Sequence, residues 1–167
     1  MTEDDKFLIN MFLRLKLKAV KSHVWTDDER TAVELNIKRD DEIGILAACC
    51  VLVSGYANAY RRAVEVLRRA IESKNLSHYV ELSVYEAIIF VPIREFDSFR
   101  DAVLSFIEQS LSRRAVDLVN TICLLGILAR AGESRALLLL QSLAHDPDAE
   151  IRNYVSVQLG LINGISS

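Results

Sequence analysis

From Ile43 to Ser54 the chain reads Ile-Gly-Ile-Leu-Ala-Ala-Cys-Cys-Val-Leu-Val-Ser, with Asp40-Asp-Glu42 in front and Gly55 behind. Acids before and a glycine after such a run mark the two ends of a helix. This helix is apolar almost all round. A helix without a polar side is stable only when covered, so it is expected at the centre of the fold. Its longest apolar run, Ile45 to Val53, is far short of the ~20 residues that cross a bilayer.

The remaining segments have the amphipathic character that covering a central helix requires. Only six glycines and two prolines interrupt 167 residues, and 51% of the side chains are hydrophobic, so helices joined by short loops are expected. The first runs from Thr2 or Glu3 to about Lys21. Its acids Glu3, Asp4 and Asp5 lie at the positive end of the helix dipole, and Lys16, Lys18 and Lys21 at the negative end. Leu8, Met11, Phe12, Leu15 and Ala19 share one face, although Leu13 to Lys18 alternates as a strand would. Ile9 and Leu13 give this helix a second apolar side, which suits closing the end of a stack or meeting a twin; a monomer or a homodimer is expected. Thr26-Asp-Asp-Glu29 has the form of a capping box and opens a short helix to about Ile37. Further helices are expected over Ala57–Ser73, Ser77–Val91, Phe96–Leu111, Ala115–Ala131, Ser134–Ala144 and Pro147–Ile162. In the first of these Ala63, Val64, Leu67 and Ile71 face inward. The fold class is all-α, in one domain over 1–167.

The last two helix pairs echo one another. Ala102, Val103, Leu104 and Phe106 fall on Ala136, Leu137, Leu138 and Leu140 at a shift of 34 residues, and Asp117, Leu118, Asn120 and Ile122 on Glu150, Ile151, Asn153 and Val155 at a shift of 33. A weaker echo lies upstream, around Ala63, Val64 and Leu67. The segment Asp-Pro-Asp-Ala-Glu-Ile-Arg-Asn-Tyr-Val, 146–155, resembles the second half of a HEAT-like (armadillo-type) repeat, most clearly over Glu133–Ile162. The resemblance implies a short α-solenoid of about four helical hairpins: an irregular cap over about 1–39, then pairs over about 40–92, 93–131 and 132–164. It specifies architecture and leaves activity open. Read from the residues, Asp146 is expected at the N-cap and Pro147 at the first helical position, with Asp148 and Glu150 in the first turn. Ile151, Val155, Leu159 and Ile162 would form the buried face. The resemblance further implies that Asp146 and Arg152 tie the loops of adjacent repeats together.

The formal charge of −3 and pI near 5.6 make nucleic acid an unlikely partner. Cys49, Cys50 and Cys123 are an odd set inside apolar helical runs, expected as buried thiols in a reducing compartment. His23, His78 and His145 are scattered, so no metal and no cofactor is expected. No phosphate loop, nucleophile elbow or His-Glu-x-x-His motif is present, and no catalytic residue is assigned. The N-terminus places acids before its apolar stretch, the reverse of a secretory signal, which leaves the cytoplasm as the expected location. Trp25 is expected as an anchor between helices.

Two surfaces stand out. Arg61, Arg62, Arg68 and Arg69 crowd one helix and could bind an anion, although a solvated face explains them as well. Asp117, Asn120, Thr121, Glu150, Asn153 and Tyr154 would line the concave side of a stack as a polar, acidic groove. The expected function is therefore a non-enzymatic protein–protein interaction module, a small adaptor, chaperone or inhibitor. An immunity protein that neutralises a bacterial toxin through charge complementarity is one form of it. Nucleic-acid binding through the Arg61–Arg69 helix, and a HEAT-like lyase or glycosylase, are the rivals.

Overall fold

The computed structural model describes residues 2–20, 24–73, 76–91, 100–113 and 118–164. These residues form nine α-helices and no strand. The chain divides into two compact units, Met1–Val91 and Pro92–Ser167.

The first unit holds α1 (Glu3–Val20), α2 (Asp27–Asn36), α3 (Glu42–Ser54), α4 (Tyr60–Glu72) and α5 (His78–Phe90), with a 3-10 turn over Ala57–Ala59. Helix α3 is the apolar helix, and α1, α2, α4 and α5 all pack on it. Every residue from Leu46 to Val53 is buried. Its ends carry the polar work. Asp41 caps it by accepting from the Ile43 and Gly44 amides, and Gly55 stops it in the left-handed region at φ 67°. Glu42 reaches the start of α5, where one carboxylate oxygen accepts from the Ser77 amide at 2.7 Å and the other from the Tyr79 hydroxyl at 2.8 Å.

In α1 the strand-like alternation yields to the helix, which places Phe12 and Leu15 in the core. The capping box of α2 forms: Thr26 Oγ1 accepts from the Glu29 amide and Glu29 Oε2 accepts from the Thr26 amide at 2.8 Å. Lys18 then joins α1 to α2 by donating to Glu29 at 2.6 Å. The buried face of α4 is Ala63, Val66, Leu67, Ala70 and Ile71, with Val64 at its edge.

The second unit holds α6 (Arg100–Arg113), α7 (Leu118–Arg130), α8 (Ser134–Leu143) and α9 (Ala149–Asn163). Helix α9 packs on both α7 and α8, and α7 on α8 and α6. Ion pairs join α6 to α8: Arg135 meets Glu108 at 2.8 Å and Asp101 at 3.8 Å. Arg100 reaches Glu133, the residue that caps α8, at 3.7 Å. Ile122 and Val155, which the sequence echo sets in correspondence, are both fully buried, but Leu104 is buried where its counterpart in the echo, Leu138, is 64% exposed.

Candidate functional site

The 145–152 stretch is a helix entry, with its cap two residues later than the sequence suggests. Asp148 is the N-cap of α9, its carboxylate accepting from the Glu150 amide at 2.9 Å. Asp146 accepts from the Asp148 amide at 2.9 Å, which holds Pro147 outside the helix in a second turn of the same kind. Arg152 donates to the carbonyls of Asp146 and Pro147, at 2.7 and 2.8 Å. It thus braces its own loop. Among the described residues no group of three or more His, Cys, Asp or Glu could hold a metal ion.

The six residues expected to line a groove do not share one surface. Thr121 is fully buried, because it falls on the side of α7 that carries Ile122, Leu125 and Leu128 into the core. It is removed from the set. Asn120 is half-buried, and Asp117 lies outside the described residues. Glu150 and Asn153 are exposed on α9 and Tyr154 is half-buried beside them. Along the same side lie two residues that the sequence reading passed over, Val157 at 54% and Leu161 at 50% exposure. The spacing 150, 154, 157, 161 is a helical stripe, and it was available in the sequence. Helix α9 therefore carries a buried face through Ile151 and Val155 and an exposed strip that is acidic at its start and apolar at its end.

A second amphipathic stripe lies on α1. Phe7, Met11, Arg14 and Lys18 follow one another at helical spacing and line a groove of about 380 Å³ between α1 and α2, with Leu15 at its floor and Glu29 at one end. Phe7 is 68% exposed. Lys18 is held by Glu29, and the hydrogen bond from Lys18 is the main reason the Glu29 carboxyl lies below its ordinary range.

The four arginines of α4 are all exposed, and each has a carboxylate at hand. Arg61 and Arg62 stand 4.0 and 3.6 Å from Glu65, Arg68 stands 3.6 Å from Glu72, and Arg69 binds Asp40 at 2.8 Å. Arg69, Asp40, Arg39 and Asp41 border a cleft of about 190 Å³, where Arg39 is bound to Asp41 and Asp5. This is a face of balanced charge.

Within the core of the first unit, Lys16 of α1 pairs with Glu86 of α5 and donates to Ser83 at 3.0 Å. Cys49 and Cys50 of α3 are buried near it, and burial pushes the Cys49 thiol up to about 12 and the Cys50 thiol also upward. The Cys50 thiol donates to the Phe12 carbonyl at 3.0 Å. Trp25 is buried, its ring 5.8 Å from that of Tyr56. No helix among the described residues is long and apolar enough to cross a membrane. No protein-family model matches the chain, and neither a curated protein nor a solved structure does.

Proposed function

We propose that the chain is a HEAT-like helical-hairpin module that binds another protein through the exposed strip of α9 and performs no chemistry of its own. One observation carries this reading. Glu150, Tyr154, Val157 and Leu161 form a continuous stripe on a helix whose core-facing side, through Ile151 and Val155, is separately buried. Exposed apolar side chains in register beside an acid cost solvation when left open and are the usual material of a protein contact. The hairpin reading is supported by the pairing of alternate helices, α6 to α8 through Arg135 and α7 to α9 through direct packing. The expected acidic groove narrows to Glu150, Asn153 and Tyr154 and gains Val157 and Leu161. The α4 arginines do not favour nucleic acid, since each already has a carboxylate within 4.0 Å, with Glu65 shared by Arg61 and Arg62, Glu72 beside Arg68 and Asp40 bound by Arg69.

The test is site-specific photo-crosslinking in native lysate. A crosslinker at Val157 or Leu161 is expected to give discrete protein adducts that fade with Glu150→Lys, while one at exposed Arg61 gives none. Adducts no stronger at 157 and 161 than at 61 would remove the strip from consideration.

A further inference from the structure

We infer that the α9 strip of one copy docks antiparallel into the α1–α2 groove of a second copy of this chain. The inference rests on reading the α9 strip as an interaction surface and names its partner.

The two stripes match residue for residue. Along α1 the order is Phe7, Met11, Arg14, Lys18, and along α9 read backwards it is Leu161, Val157, Tyr154, Glu150, with the same steps of four, three and four residues. Two antiparallel helices meeting along these stripes set Phe7 against Leu161 and Met11 against Val157. Arg14 then meets the Tyr154 ring, a cation–π pairing. Lys18 meets Glu150. Lys18 already donates to Glu29 at 2.6 Å, but an ammonium has three donors and can serve a second carboxylate. Turning α9 to run parallel would set Phe7 against Glu150 and Lys18 against Leu161, so the pattern also specifies direction. Phe7, Val157 and Leu161 are half or more exposed, so docking removes from water the apolar surface that each stripe leaves bare.

The strip and the groove are different surfaces. The contact closes as an isologous two-fold dimer when each copy both gives its strip and receives the other's, and otherwise is heterologous and grows as a ring or chain.

The experiment is sedimentation velocity of the full chain over roughly a hundred-fold range of concentration, since self-association follows mass action. The wild type is expected to shift from monomer to a larger species. Val157→Asp, which spoils the strip, and Phe7→Asp, which spoils the groove, are each expected to remain monomeric with unchanged helix content. An equimolar mixture of the two is expected to associate, because one still has a groove and the other a strip. A wild type monomeric throughout, or association that survives both variants, or a mixture that stays monomeric while the wild type associates, overturns the inference. Failure of the self-docking and failure of the wider reading are separable. Crosslinks from Val157 to a different protein, with a monomeric wild type, defeat only the former.

Discussion

Gln158 lies across Gly126, at a point where a Cβ on residue 126 would come within 2.0 Å of the Gln158 side-chain oxygen. The same oxygen accepts from Arg130 at 3.0 Å, and the amide nitrogen approaches the Cys123 sulfur at 3.9 Å. Cys123, Gly126 and Arg130 are successive positions on one side of α7, so the glutamine is seated in a slot that the glycine opens. Replacing a mid-helix glycine by alanine ordinarily stabilises by about 1 kcal/mol. Here the alanine evicts Gln158 and costs its hydrogen bond to a charged donor, worth about 1.5–3 kcal/mol. Gly126→Ala is expected to lower stability by about 1 kcal/mol in denaturant melts. In the Gln158→Ala background the same change is expected to raise it, and a double-mutant cycle reads the difference.

The pair formed by Lys16 and Glu86 joins α1 to α5 inside the first unit. Lys16 is nearly enclosed, whereas Glu86 keeps 33% of its side chain exposed. Removing the acid alone leaves a nearly enclosed cation that, among the described residues, keeps its hydrogen bond to Ser83 but loses its counter-charge. Glu86→Ala is expected to cost about 2 kcal/mol, below the range for a fully buried pair because Glu86 is partly solvated. The double change Lys16→Met with Glu86→Leu is expected to recover most of that loss, measured as the midpoint of urea unfolding.

Glu29 carries a pH dependence of definite sign. Its carboxyl is held low first by the hydrogen bond from Lys18; burial opposes this, and the Thr26 amide adds a further lowering. A depressed folded value means that the stabilisation is fully present above the ordinary value of 4.5 and is lost as pH falls through the lower, folded one. Glu29→Gln is expected to flatten the acid side of the stability curve. An unaltered slope below pH 4.5 in thermal melts would contradict it.

The cysteines are expected to differ in reactivity. Cys49 and Cys50 are buried with their thiols pushed up, Cys49 to about 12, so almost no thiolate exists at neutral pH and no reagent reaches it. Cys123 is half-buried. In the native protein, timed alkylation followed by mass spectrometry is expected to label Cys123 first and the adjacent pair only after denaturant is added.

Helix content and the central place of α3 were legible because the run Ile43–Ser54 admits no other environment, and the capping box at Thr26 because its two partners are local. The entry to α9 was not. Asp146 and Asp148 are both good caps for a following turn, and the bonds that keep Pro147 outside the helix, from the Asp148 amide to Asp146 and from Arg152 to two carbonyls, are not written in the spacing. Thr121 was misread because its neighbour Asn120 suggested a polar side, while a single step of about 100° on a helix carries the next residue around to the core. Val157 and Leu161 were passed over for a related reason. Hydrophobic spacing identifies a stripe, but not whether anything covers it, and the face through Ile151 and Val155 already accounted for the core.

The enclosure of α3 has a consequence for how the first unit comes apart. A helix wetted on one side can fray or lift while its neighbours hold. From Leu46 to Val53 α3 has no such side, so withdrawing α1, α4 or α5 bares a greasy rod at once and the others lose their seat. Opening of this unit is thus a single cooperative event, and the amides of α3 should be the last to trade their protons with solvent.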